Sequence, residues 1–94
     1  MISVELTLAA ARDLDRITDF LMAHDPDHAV ERKAELMASM RVLTFAPEIG
    51  RPVPTGAREL VVGKAARGYV VQYRYLPRVA IALIIAIRHQ REDR

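Results

Sequence analysis

The chain has no cysteine and no tryptophan, and three tyrosines and two phenylalanines are its only aromatic residues. Without cysteine there is neither a disulfide framework nor a thiolate metal site. That absence fits a reducing compartment, and a cytoplasmic location is expected. The four glycines, Gly50, Gly56, Gly63 and Gly68, are dispersed, so no glycine loop cradles a phosphate. Ser3 and Ser39 are the only serines. One falls in a strand-like segment and the other inside a helical one, which argues against a serine nucleophile on a strained turn. The longest uncharged apolar run, Val79 to Ile87, has nine residues, far short of the about 20 a membrane helix needs. Met1-Ile2-Ser3-Val4-Glu5 lacks the cationic and apolar regions of a signal peptide.

What is present is a 94-residue chain that is 51% hydrophobic. One small domain is expected, with a core of Ala, Val, Leu and Ile. The net charge of +2 hides a division. Residues 1–50 carry five Lys/Arg against nine Asp/Glu, a net of −4, and residues 51–94 carry nine against three, a net of +6. The second half therefore attracts anionic surfaces, whether nucleic acid or acidic protein.

Periodicity divides the chain further. Ile2, Val4, Leu6 and Leu8 alternate with polar residues, the pattern of a half-buried strand. Ala10, Leu14, Ile17 and Leu21 then share one helical face, with Phe20 beside it. His24-Asp25-Pro26-Asp27 interrupts the helix. Asp25 is a candidate N-cap and Pro26 a candidate first residue of a second helix, running to about Phe45. Its apolar face reads Ala29, Lys33 (by its alkyl stem), Leu36, Met37, Met40 and Leu43. The short break predicts an antiparallel helix hairpin. Pro47 to Ala57, rich in proline and glycine, reads as a loop. Three strands follow, at about 58–63, 69–76 and 79–87, with tight connections between them. The last is apolar on both faces, as in a strand buried mid-sheet, and residues 88–94 form a polar tail. The fold class is thus α+β: an N-terminal strand, a two-helix hairpin and a three-stranded antiparallel meander in one sheet. The first strand is expected to extend the meander at an edge.

His24, His28 and His89 lack acidic partners at ligand spacing, so no metal and no cofactor is implied. RNA cleavage asks for a base, an acid and cations. The candidates are Arg58, Arg74, Arg88, His89 and Arg91 as cations, and Glu59, Tyr73 or His89 as proton carriers. Each also has a plainer reading. Tyr69, Tyr73 and Tyr75 alternate along one strand and share a face, as packing residues do. Arg58 beside Glu59 fits a strand-edge pair, and Arg74 points away from the tyrosines.

Five blocks in order carry a family resemblance. They are Ala11-Arg12-Asp13-Leu14-Asp15-Arg16-Ile17 with Phe20-Leu21, then Pro47-Glu48-Ile49-Gly50-Arg51-Pro52-Val53, then Arg58-Glu59-Leu60-Val61-Val62. Gly68-Tyr69-Val70-Val71-Gln72-Tyr73-Arg74 and Ile87-Arg88-His89-Gln90-Arg91-Glu92 complete the set. In this order and spacing the chain resembles the RelE/ParE toxin superfamily of type II toxin–antitoxin systems. Gly50-Arg51-Pro52, Arg58-Glu59-Leu60 and the Arg88 to Glu92 ending resemble the ParE branch. The RelE-type ribosome-dependent ribonucleases place lysines on the first meander strand, an arginine after the Gly-Tyr pair and a tyrosine beyond the last strand. Here those places hold Leu60, Val61 and Val62, then Val70, and nothing aromatic after Ile87.

The resemblance implies a toxin that traps DNA gyrase on cleaved DNA by binding, without turnover of its own. Arg58, Arg74, Arg88, His89 and Arg91 are the candidate target-binding residues. It also implies a cognate antitoxin, ParD-like or related, in a hetero-oligomer, whose disordered segment folds on the toxin. Leu14, Ile17, Leu21, Leu36, Met40, Leu60 and Val62 are the candidate antitoxin groove. Two alternatives stay open: a RelE-like messenger endonuclease, and a non-toxic homologue that keeps antitoxin binding.

Overall fold

A computed structural model describes residues 1–63 and 68–89. β1 (Ser3–Leu6) leads into α1 (Leu8–His24) and α2 (Ala29–Arg41), then a 3-10 turn at Val42–Thr44. β2 (Arg51–Pro52), β3 (Arg58–Val62), β4 (Tyr69–Leu76) and β5 (Ile81–His89) complete the fold. The sheet has five strands in the order β1-β5-β4-β3-β2. β1 runs parallel to β5, and the other pairs are antiparallel. The first strand lies at an edge, as its alternation and position in the chain imply. The last strand lies between two others, as its apolar character demands.

Both helices pack on one face of the sheet. Ala10, Ile17 and Leu21 of α1 and Ala29, Leu36 and Met40 of α2 are buried there. They meet Val62, Tyr69, Val71, Tyr73, Ala82, Ile84 and Ile87. The opposite face has no covering layer among the described residues. Thr7 caps α1 by accepting a hydrogen bond from the Ala10 N–H at 3.1 Å.

Several expectations need correction. Asp25 does not cap α2; it ends α1, its N–H donating to the Leu21 carbonyl. His28 occupies the α2 N-cap position without a side-chain cap bond. The Asp25 carboxylate instead faces His28 Nδ1 at 2.9 Å and Arg32 Nε at 3.2 Å. Pro26 therefore belongs to the turn rather than to the first turn of α2. Lys33 and Met37 are exposed; the buried seam of α2 is Ala29, Leu36 and Met40, continued by Leu43. The last strand begins two residues later than expected, because Pro77–Val79 form a 3-10 turn closed by Ala80 at φ 54°, ψ 47°.

The predicted Pro/Gly loop is more structured than its composition implies. Arg51 pairs with Glu59 and Pro52 with Arg58. The Val53 N–H donates to the Ala57 carbonyl at 3.0 Å, closing a hairpin. Bonded pairs alternate along an antiparallel ladder. Pro52 therefore falls at a non-bonded place, where its missing N–H costs nothing.

Candidate functional site

Strand register decides which of the candidate cations can act together. On β3, Arg58, Leu60 and Val62 stand opposite Tyr73, Val71 and Tyr69, and all six face the helices. Glu59 and Val61 stand opposite Gln72 and Val70, on the open face. On β5, Arg88 is opposite Val70 and His89 opposite Tyr69. Arg74 and Arg88 thus share the open face, about 14 Å apart by strand spacing. Arg58 and His89 fall on the helix side. Arg91 lies outside the described residues.

Arg58 and Tyr73 have a shared task. The Tyr73 side chain is fully buried. Its hydroxyl donates to the Pro47 carbonyl at 2.7 Å and accepts from the Gly50 N–H at 2.9 Å. Arg58 Nη1 donates to the carbonyls of Glu48 (2.9 Å) and Gly50 (2.8 Å), with the Glu48 carboxylate 3.5 Å from Nη2. Two strand side chains therefore clamp the Pro47–Gly50 turn. Glycine is required at position 50 by space: a Cβ there would stand 2.7 Å from the Tyr73 ring and hydroxyl. The expected Arg58–Glu59 pair does not form, because neighbours on a strand point to opposite faces. Glu59 pairs instead with Arg51 at 2.9 Å.

The open face carries Arg51, Arg74 and Arg88 around an apolar middle of Val61, Val70, Leu76, Ile81 and Leu83. Val61 is 55% and Leu76 37% exposed. Arg74 reaches the Thr55 carbonyl at 3.0 Å, which braces the hairpin tip against β4. His89 meets Tyr69 edge to face, with ring centroids 5.4 Å apart.

Asp13 has a role that periodicity did not reveal. β1 pairs with β5 only as far as Ile84. Beyond that point the Ile87 N–H would lack a strand partner, and Asp13 Oδ2 accepts from it at 3.0 Å. Asp13 stands 3.6 Å from Arg16 as well. Arg51 was also missed as an open-face cation, since its orientation depends on the β2–β3 register.

The candidate antitoxin groove is largely core. Ile17, Leu21, Leu36, Met40 and Val62 are buried, and Leu14 and Leu60 pack against them. In a chain this small, two helices must use their apolar stripes to cover the sheet. The large apolar residues left outward on the helices and the following turn are Leu8, Phe20, Met22, Val30, Met37, Val42 and Phe45. Among the described residues, no three His, Cys, Asp or Glu side chains converge as metal ligands do. His24 stacks on Phe20. No described helix is long and apolar enough to cross a membrane.

Comparison with known proteins completes the description. Residues 4–94 match the family model of the ParE toxin of the type II toxin–antitoxin system parDE. The chain is 38% identical to Toxin RelE3 of Caulobacter vibrioides, over the full length of both. It is 34% identical to Toxin RelE1 of the same organism, over 79% of this chain and 80% of that one. A chain of the chromosomal ParDE system of P. aeruginosa superposes with a TM-score of 0.76 at 26% identity, covering 95% of this chain and 96% of that one. A chain of the RelBE2 toxin–antitoxin complex of Mycobacterium tuberculosis shares the fold, with a TM-score of 0.60 at 19% identity and coverage of 95% and 98%. By sequence along nearly its whole length and by fold, the chain belongs to the ParE toxin family of type II toxin–antitoxin systems.

Proposed function

We propose that this toxin acts by binding DNA gyrase and holding it on cleaved DNA, with no bond-breaking chemistry of its own, until a cognate antitoxin removes it. The observation that carries the reading is the clamp. Arg58 and Tyr73, two of the few groups suited to ribonuclease chemistry, are held on the backbone of the Pro47–Gly50 turn. A guanidinium committed to two carbonyls and a buried hydroxyl committed to two main-chain groups are poorly placed to serve a scissile phosphate. Arg74 and Arg88 project from the other side of the sheet. A rigid face with spaced cations around an apolar middle suits adhesion to an acidic or DNA-bearing surface.

The antitoxin partner follows from the family and from the ParDE and RelBE2 assemblies that share the fold. Its apolar contacts would fall on outward residues such as Phe20, Met22, Val30 and Phe45, because the inner stripe is buried.

The test is a supercoiling assay with purified gyrase and plasmid. The toxin is expected to block supercoiling and accumulate cleaved DNA, with Arg74→Glu and Arg88→Glu together reducing the effect at least about tenfold. Unimpaired supercoiling with excess folded toxin would reject the proposal.

A second reading has one observation in its favour: two relatives at 38% and 34% identity carry the name RelE. It predicts codon-positioned cuts in translated messages, with His89 as the proton carrier to substitute first.

A further inference from the structure

β1 is an edge strand with one side already paired. The Ser3 N–H donates to the Ala80 carbonyl at 2.9 Å and the Thr7 N–H to the Ile84 carbonyl at 3.0 Å. In a parallel ladder every second residue bonds to the neighbouring strand, so Ser3, Glu5 and Thr7 turn their main-chain groups to β5. Ile2, Val4 and Leu6 turn theirs outward. Among the described residues, no turn or loop bonds to these outward groups. The remaining stretches, 64–67 and 90–94, adjoin the far end of the sheet, next to Val62 and His89. Val4 pairs with Ala82, seven residues back along β5 from His89, which puts its outward groups about 25 Å from that end. Five residues span at most about 18 Å, so neither stretch reaches them.

The side chains of this edge alternate in character. Ser3 and Glu5 stand opposite Ile81 and Leu83 on the open face, and both are exposed. The Ser3 hydroxyl donates to the Glu5 carboxylate at 3.3 Å. Ile2, Val4 and Leu6 stand on the helix side, partly buried against the core. Short length and charge normally protect an edge strand from pairing. Here the single charge is placed so that it selects one register instead of forbidding all of them.

We infer that the outer edge of β1 is a self-association surface, filled by β1 of a second copy of this chain, antiparallel and centred on Val4. Ile2 then faces Leu6 of the partner subunit, Val4 faces Val4 of the partner subunit, and Ser3 faces Glu5 of the partner subunit. A two-fold contact repeats each pair. All three outward residues fall at bonded places. Moving the axis to Ser3 or Glu5 leaves only two of them facing one another, and the second of these shifts sets Glu5 against itself. Ser3 and Glu5 fall at the non-bonded places, where side chains come closest, so a hydroxyl meets a carboxylate at each end of the ladder. On the helix side Ile2, Val4 and Leu6 join their counterparts in one apolar row. The axis stands perpendicular to the sheet. Both helix layers therefore lie on one side and both open faces, with Arg74 and Arg88, on the other. Two such faces turned the same way multiply whatever contact one of them makes.

The experiment takes the purified full chain alone through sedimentation equilibrium and amide hydrogen exchange, at about 1 to 300 μM. The average mass is expected to rise with concentration from one chain toward two. Exchange at Val4 and Leu6 should slow in step, while Ser3, Glu5 and Thr7, already bonded to β5, stay unchanged. Val4→Pro removes an outward N–H and none of those given to β5, so it should abolish the dimer and keep the fold by circular dichroism. Ser3→Glu sets like charges opposite each other at both ends of the ladder and should weaken the dimer about tenfold. Adding Glu5→Lys to that variant should restore it. Ser3 and Glu5 are exposed, so the charge series decides the matter even if Val4→Pro fails to fold. A monomer at every concentration, a dimer indifferent to Ser3→Glu, or slowed exchange confined to other strands would overturn the inference. Neither gyrase nor antitoxin takes part, so failure here leaves the proposed target untouched.

Discussion

Tyr73 shows how one side chain can decide what its neighbours are able to do. Its ring fills the core and its hydroxyl joins Pro47 to Gly50, so the phenol is committed to two main-chain groups. Tyr73→Phe keeps the ring and leaves two main-chain groups without their partner. It is expected to cost about 1–3 kcal/mol, lowering the thermal midpoint by roughly 5–20 °C for a domain of this size. Gly50→Ala should cost about 1–3 kcal/mol by crowding the same ring. Arg58→Ala removes charge-assisted bonds to two carbonyls and is expected to cost about 1.5–3 kcal/mol. Any loss of toxicity in that variant should track its loss of stability in denaturant titration. A fully stable Arg58→Ala protein without toxicity would place Arg58 in the target contact instead. Asp13 is comparable: Asp13→Asn, which retains an acceptor for the Ile87 N–H, should be milder than Asp13→Ala by about 1 kcal/mol in the same titration.

Among the elements, the strands were more legible than their connections. Alternation in residues 2–8 and the uninterrupted apolar run near the C-terminus gave β1 and β5 their places, edge and interior. The tyrosines shared a face because side-chain period on a strand is two. The connections followed local chemistry that a helical or strand pattern does not encode. Pro26 looked like a helix start, yet Asp25 bonded to the end of α1 and pushed α2 on to Ala29. The Pro/Gly tract looked like a plain loop, yet Pro52 met the ladder at its one tolerant place and a fifth strand formed. The division of the cations by face was legible in part: Arg74 opposite the tyrosines followed from its own strand, whereas Arg58 and Arg51 required pairing register. The groove residues were found as apolar but misplaced, since periodicity marks a buried stripe without saying what buries it. Ala80 carries a testable strain, because a Cβ is unfavourable at φ 54°. Ala80→Gly is expected to stabilise by about 0.5–1 kcal/mol, net of the entropy that glycine adds to the unfolded chain. Chemical denaturation checks this, and a destabilised variant would show that the turn is held without strain.

The whole molecule is electrically divided, with an acidic half that makes β1 and the helices and a basic half that makes β2 to β5. The sheet thereby presents Arg74 and Arg88 on one face. If adhesion is mainly electrostatic, inhibition should weaken at least severalfold as salt is raised from about 50 to 200 mM, since exposed charges are screened over about 10 Å at 0.1 M. Salt-independent inhibition would instead assign the contact to the apolar middle of the sheet. The most direct measurement incubates purified toxin with gyrase, supercoiled plasmid and ATP and quantifies cleaved DNA. The proposed mechanism predicts cleaved complexes that increase with toxin, fall with Arg74→Glu and Arg88→Glu, and vanish with antitoxin. Unchanged gyrase, together with codon-positioned cuts when the same preparation meets translating ribosomes, would contradict it.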